Sequence, residues 1–231
     1  MTPDKNIFIS RNSAEKFLCN ESQNLYFFFG GFYEGIAMPP LEFFEAAKIL
    51  NENKIYLRDF NQCWYHTGLY KISKNIEETA EYLQSEINQI KPKRIFFIGS
   101  SMGGFAAILF ANLLKTGEAI AFAPQSFISN DLRNKHNDDR WSEEVENTFN
   151  LTKDKKRIFD LRTFLLNNNG IQKTSIFVSK DNQLDLIHSN HLKDLDNIAV
   201  FEFDNGGHGI AKLLRDKGEL PNIISGNYGK S

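Results

Sequence analysis

The segment around Ser101 carries the strongest chemical signal in the chain. Residues 95–107 read IFFIGSSMGGFAA, which places a G-x-S-x-G motif between an apolar strand pattern and an Ala-rich helical pattern. A sharp strand-to-helix turn lifts such a serine hydroxyl above the sheet edge, and glycines relieve the crowding around the turn. The motif predicts that Ser101 is a nucleophile and that Ser100 points away. The alternative is a purely structural Gly/Ser turn.

A histidine near the end of the chain is suited to act as the base. His208 lies in the glycine-rich segment 204–210 (DNGGHGI), which follows the strand pattern of residues 199–203. A neutral imidazole there would take the proton of Ser101 and later return it to the leaving group. The alternative is an ordinary histidine in a surface loop.

Two aspartates compete for the role of the acid that orients His208. Asp181 and Asp185 both follow the strand pattern of residues 175–178, so either gives the chain order Ser, acid, His that is expected for a triad on this kind of sheet. Asp181 lies closer to the strand end. Asp185 immediately precedes a helical pattern, where an aspartate is often an N-cap. Position alone leaves both candidates open.

Two backbone N–H groups are expected to form an oxyanion hole. One belongs to Met102, directly after the nucleophile, and the other to Phe32, which follows Gly30 and Gly31 at the end of a strand pattern. The same glycines do not fit a phosphate cradle, since the Lys-Ser/Thr of a P-loop and the G-x-G-x-x-G pattern are absent from the sequence. No cofactor is expected.

Short β-rich runs alternate with longer helical patterns, which predicts a single α/β domain over residues 1–231. The expected sheet is mostly parallel, with helices on both faces. The predicted strands are residues 7–10, 25–29, 55–59, 95–98, 119–123, 175–178 and 199–203. The predicted helices are residues 40–50, 76–90, 103–115, 186–195 and 210–217.

One polar stretch, residues 126–170, interrupts this alternation. It is too long for an ordinary connection. It leaves the sheet at the edge where ligands bind in open α/β folds, which favours a small helical cap over a surface excursion. We call it the 126–170 insertion.

Several motifs together resemble the α/β-hydrolases, and among them small hydrolases found with bacterial surface-polysaccharide genes. Besides the elbow motif GSSMGGFAA, these are FFFGGF (27–32), RDFNQCWYHTGL (58–69), AFAPQ (121–125), DDRW (138–141) and GGHGIAKLLRDKGEL (206–220). They spread over most of the chain. The resemblance implies ester chemistry, with removal of an acetyl group from a sugar as the expected reaction and a small molecule or glycan ester as the substrate.

Three further residues are candidates for substrate binding. Trp64 and Tyr65 follow a strand end and offer flat faces for a sugar or walls for an acyl pocket, although they could equally anchor their loop to the core. Arg140, beside Trp141, could bind an acidic sugar, although such a pair is more often a helix start. His188 with His191, and Cys63 with His66, lack the further ligands that a zinc site requires, so no metal is expected.

The overall composition argues against several classes of protein. A net charge of −2, from 27 Lys and Arg against 29 Asp and Glu, gives no reason to expect nucleic-acid binding. No apolar run approaches the roughly 18 residues of a membrane span, the first residues show no signal-peptide pattern, and two cysteines make no disulfide framework. A cytoplasmic protein is expected, with no indication of its oligomeric state.

Three functions fit these features. The first is an ester hydrolase acting on an acylated carbohydrate, and the second is an acyltransferase that uses the same triad. The third is a non-catalytic, hydrolase-like subunit of a glycan assembly or export system. The joint presence of Ser101, His208 and an intervening aspartate argues against the third.

Overall fold

The computed structural model describes residues 12–32, 43–153 and 157–228. In these ranges, one seven-stranded sheet has the order β1-β3-β2-β4-β5-β6-β7. Strands β2 to β7 run parallel to one another, whereas β1 pairs antiparallel with β3 at the edge. The strands are β1 Ala14–Phe17, β2 Asn24–Phe29, β3 Asn53–Leu57, β4 Arg94–Ser100, β5 Glu118–Phe122, β6 Thr174–Ser179 and β7 Ile198–Phe203. The predicted fold class, a mostly parallel α/β sheet, is confirmed.

Strand β2 shows why the sheet is covered on both faces. Leu25, Phe27 and Phe29 join one hydrophobic cluster, while the alternate residues Tyr26 and Phe28 join the other. Successive side chains in a strand point to opposite faces, so a strand that is apolar at every position must be buried on both.

Helices supply both covering layers. The helices are α1 Phe44–Ala47, α2 Ile76–Ile90, α3 Met102–Leu113, α4 Asn130–His136, α5 Ser142–Leu151, α6 Leu161–Leu166, α7 Gln183–Asn190, α8 Ile210–Asp216 and α9 Leu220–Ile224. Buried residues of α2 and α3 belong to the first cluster, and those of α1, α8 and α9 belong to the second. No helix in the described ranges has the length and apolar character that crossing a membrane requires.

The element boundaries differ from the sequence predictions in a few places. Strand β1 and helix α9 were not predicted, and the strand predicted at residues 7–10 lies outside the described residues. Strand β1 is only four residues long, and its sequence AEKF does not alternate charged and apolar residues, so it gives no periodic signal. The 126–170 insertion contains three short helices, α4 to α6.

Candidate active site

Ser101 occupies a strained turn between β4 and α3. Its φ of 53° and ψ of −120° are rare for a residue with a side chain. Glycines make this turn sterically feasible. A Cβ on Gly99 would lie 2.1 Å from the carbonyl oxygen of Gly103, and a Cβ on Gly103 would lie 2.1 Å from that of Phe29. The glycines of the motif are therefore required by close backbone packing.

Replacing Gly103 with alanine is expected to destabilise the fold, because its new methyl group would overlap the Phe29 carbonyl and push the elbow away from β2. Overpacking of this kind costs about 1–3 kcal/mol or more. Gly209→Ala is the matched control, since a Cβ there meets nothing within 4 Å. Thermal unfolding that is equally affected by the two substitutions would contradict this account of the turn.

The hydroxyl of Ser101 is buried and has no hydrogen-bond partner among the described residues. The backbone around it is fully engaged: Ser101 N donates to Phe122 O at 2.9 Å, and Gln125 N donates to Ser101 O at 3.3 Å. Buried polar atoms are nearly always paired, and exceptions often mark strained or catalytic groups. The turn thus holds an uncommitted hydroxyl in a fixed position.

His208 lies in a short 3₁₀ helix, Gly207–Gly209, directly after β7. Its Nδ1 is 2.9 Å from Oδ2 of Asp185 and 3.0 Å from Oδ1. An ionised carboxylate only accepts hydrogen bonds, so Nδ1 carries the proton and donates it. Nε2 of the neutral ring is then the unprotonated nitrogen, the form that a general base needs.

Asp185 lies in the first turn of α7, with its side chain only 1% exposed. The N-cap of that helix is Asn182, whose side chain accepts from Asp185 N at 3.1 Å. The carboxylate of Asp185 is therefore not occupied in capping.

Asp181, the other candidate acid, contacts the backbone of the histidine loop and makes no hydrogen bond to the imidazole. Its carboxylate accepts from Gly207 N at 2.9 Å, Gly206 N at 3.3 Å and Ser179 Oγ at 2.6 Å. The bond from Ser179, followed by those from the two glycines, lowers the pKa of Asp181. The structure thus brings Asp185, not Asp181, to the ring of His208.

The two expected oxyanion donors lie at the carboxyl ends of neighbouring strands. Met102 opens α3, and the first N–H groups of a helix have no partner within it. Phe32 follows β2, which pairs with β4. The ring of Phe32 stacks on Trp141 at 5.2 Å and meets Trp64 edge-on at 4.9 Å.

Trp64 and Tyr65 are buried in the core. Trp64 Nε1 donates to Gln125 Oε1 at 3.0 Å, and Tyr65 Oη donates to the carbonyl oxygens of Gly30 and Leu57 at 3.0 and 3.1 Å. Both residues are 0% exposed, so neither ring has a free face for a sugar. In this structure Trp64 and Tyr65 therefore anchor their loop to the core, which is the alternative to the expected substrate contact.

A buried carboxylate, Asp59, organises the loop of these two aromatics. It accepts hydrogen bonds from the backbone of Asn61, Cys63 and Tyr65 at 3.0, 2.7 and 2.8 Å. Burial raises its pKa to about 6, against the opposing effect of these bonds. Sequence reasoning placed Asp59 at a strand end without finding this role, since only the folded loop brings the N–H groups together.

Arg140 is engaged with two acidic side chains. Its Nη1 donates to Asp185 Oδ1 at 2.8 Å, while Nε and Nη2 each donate to the carboxylate of Asp138 at 2.9 Å. The expected role of binding an acidic substrate does not fit a guanidinium committed in this way. Arg140 is instead the counter-ion of the aspartate that holds His208.

Asp138, the second partner of Arg140, also contacts the buried side chain of His188. Its Nε2 lies 3.0 Å from Asp138 Oδ2, and its Nδ1 accepts from Ser126 N at 3.1 Å. Burial alone would raise the pKa of Asp138, but hydrogen bonds from His188 and Arg140 hold it well below its usual range. Burial lowers the pKa of His188, which keeps that ring neutral.

In the described ranges, no group of three or more His, Cys, Asp and Glu side chains is arranged to hold a metal ion. His191 contacts Asp160 at 2.7 Å, and His66 contacts the carbonyl oxygens of Cys63 and Ile158 at 2.9 Å. Each of these two histidines thus contacts a residue of the 126–170 insertion, Ile158 for His66 and Asp160 for His191.

The sheet order, the serine elbow and the histidine loop define an α/β-hydrolase fold. The chain belongs to the uncharacterised protein family UPF0227, whose model matches residues 63–214. That match spans the elbow, the 126–170 insertion and His208. A search of curated proteins finds no match.

Solved structures with the same fold include proteins that handle acyl groups. The capsule O-acetyltransferase of Neisseria meningitidis serogroup A is 16% identical, with a TM-score of 0.69 over 93% of this chain and 92% of that chain. A variant of that protein has been solved in complex with CoA. A lipase-esterase related protein from Clostridium acetobutylicum is 20% identical, with a TM-score of 0.58 over 94% and 99%.

A third similar structure is the glycosylation associate protein (Gap123) complex from Streptococcus agalactiae. It is 13% identical, with a TM-score of 0.60 over 95% of this chain and 48% of that chain. This chain therefore spans about half the length of that protein. At these identities the likeness concerns the fold.

Proposed function

We propose that this protein is a serine-dependent enzyme that cleaves a short carboxylic ester, with an acylated bacterial carbohydrate as the substrate class. The observation that carries the proposal is the pairing of His208 with the buried carboxylate of Asp185, in a fold whose elbow presents the Ser101 hydroxyl. Ser101 would attack the acyl carbon while Nε2 of His208 takes its proton. The N–H groups of Phe32 and Met102 would stabilise the oxyanion.

Every bond and proton of the proposed acyl-enzyme reaction is accounted for without a cofactor. Collapse of the tetrahedral intermediate expels the alcohol, which receives the proton held by His208, and leaves the acyl group on Ser101 Oγ. Water then attacks the acyl-enzyme, with His208 again as base, and releases the carboxylic acid. Asp185 stays ionised and holds the imidazole in the tautomer whose Nε2 accepts the proton.

Transfer of the acyl group to a sugar hydroxyl is the second candidate. It is favoured by the similarity to the capsule O-acetyltransferase, which has a higher TM-score than the lipase-esterase related protein. Both reactions share the acyl-enzyme and differ in the acceptor. Incubation with acetyl-CoA or p-nitrophenyl acetate, with and without a panel of sugars, separates them. Acetate release alone supports the esterase, whereas acetylated sugar supports the transferase.

The substrate side of the proposal predicts a preference for short acyl groups. Hydrophobic pockets favour longer chains by about 0.8 kcal/mol per buried methylene. Here the Ser101 hydroxyl is buried, and α5, the insertion helix whose N-cap Trp141 contacts the His208 ring, carries the polar sequence SEEVENTFNL. Rates on p-nitrophenyl esters should therefore fall from acetate through butyrate to octanoate. Rates that climb with chain length would contradict the carbohydrate assignment and leave the serine mechanism intact.

A further inference from the structure

We propose that Arg140 is a positioning residue for the triad and that its charge keeps His208 in the proton-accepting form toward lower pH; this rests on the proposed function. Oδ1 of Asp185 accepts from Arg140 Nη1 at 2.8 Å and lies 3.0 Å from His208 Nδ1. One carboxylate oxygen thus joins the catalytic imidazole to a guanidinium of the 126–170 insertion.

The charge balance around Asp185 explains the expected effect. Arg140 and His208 approach the same oxygen, so Nη1 and Nδ1 lie within about 6 Å of each other. A cation at that separation opposes a second cation on the imidazole, whose side chain is 33% exposed, so that solvent screens part of the repulsion. Asp185 is 1% exposed and Arg140 is 19% exposed. Without the guanidinium, the carboxylate of Asp185 would stabilise the protonated imidazole, and the charge of Arg140 would no longer oppose it.

Contacts other than the one with Asp185 fix the position of Arg140. Asp138 binds the guanidinium through two oxygens, and Asp138 is itself held by His188. Arg133 donates to the carbonyl oxygen of Arg140 at 2.7 Å and to Ser142 Oγ at 3.1 Å, which fixes the backbone. Hydrogen bonds to both the side chain and the backbone of Arg140 in the DDRW motif, residues 138–141, therefore hold it in contact with Asp185.

The remaining charged and aromatic groups near His208 do not duplicate this effect. Asp181 contacts the backbone of the histidine loop, and Lys180 forms an ion pair with Asp204 on the exposed rim. The Trp141 ring centroid lies 5.4 Å from that of His208 and adds an uncharged wall. The buried His188 hydrogen-bonds Asp138, which in turn binds Arg140.

The test is an NMR titration of the His208 ring in the full-length protein, with its signal assigned by comparison with His208→Gln. Arg140→Gln and Arg140→Met are each expected to move the titration midpoint upward by roughly 1 pH unit or more. Arg140→Lys keeps the charge and should stay closer to wild type. Arg162→Gln is the matched control: it removes another insertion arginine, whose partners are Asp194 and the His191 carbonyl.

An unchanged midpoint in folded Arg140→Gln or Arg140→Met would overturn the proposal. So would an equal shift in Arg162→Gln, or loss of fold in both neutral variants while Arg140→Lys folds normally, because either result indicates a general structural role. The titration needs no turnover. Failure of Ser101 to react with a serine-directed probe would refute the proposed function, whereas failure of the midpoint to move would refute only the role of Arg140.

Discussion

Replacing Ser101 with alanine is expected to lower kcat/KM for p-nitrophenyl acetate by at least about 10³-fold, as removal of a triad nucleophile does. Folding should be retained, because the lost hydroxyl is buried without a partner among the described residues. Removing such an atom is neutral or slightly stabilising. The thermal midpoint of Ser101→Ala should therefore match or exceed that of the wild type.

Ser100 provides the control for this substitution. It is the neighbouring serine, equally buried at the end of β4, and it has no part in the proposed mechanism. Ser100→Ala should keep activity near the wild-type level. Full activity in Ser101→Ala, or an equal loss in Ser100→Ala, would mean that hydrolysis does not depend on the elbow hydroxyl.

Replacing Asp185 with asparagine is expected to lower kcat by up to roughly 10⁴-fold, the effect of losing the correct histidine tautomer. An amide NH₂ facing Nδ1 would require that nitrogen to accept, which places the ring proton on Nε2 and removes the base. The variant should also lose stability, since the partly buried Arg140 keeps only one of its two carboxylate partners. Circular dichroism at the assay temperature establishes that the measured protein is folded.

Asp181→Asn is the matched comparison for the acid. The amide oxygen can still accept from Gly206 or Gly207, so the histidine loop keeps part of its support and the imidazole keeps its carboxylate. Activity should fall far less than in Asp185→Asn. Equal losses, or a larger loss in Asp181→Asn, would assign the acid to Asp181. Full activity in both variants would place the acid elsewhere.

The elements of the site could be predicted from the sequence because their signals are local. The apolar run before Gly99 and the Ala-rich run after Gly104 define a strand and a helix that meet at Ser101. The same logic places His208 after the last strand. Predicted helix 76–90 coincides with α2 because Asn75 caps it and its apolar residues recur on one face.

The roles that sequence left open depend on tertiary contacts. Asp181 and Asp185 are only four residues apart, and only the contacts of the folded chain show that Asp185 reaches the imidazole of His208. Trp64 and Tyr65 looked accessible because they follow a strand end, yet the Asp59 carboxylate folds their loop inward. Arg140 lies two residues from its partner Asp138, but its second partner, Asp185, is 45 residues away and meets it only in the folded chain.

The central claim is that Ser101 is an activated nucleophile, and covalent labelling tests it most directly. The folded protein is treated with a fluorophosphonate, and the product is mapped by intact-mass and peptide mass spectrometry. We expect one adduct per chain, on Ser101, that does not form in Ser101→Ala and forms much more slowly in His208→Gln. No adduct on folded wild-type protein, or an adduct on another residue, would contradict the claim.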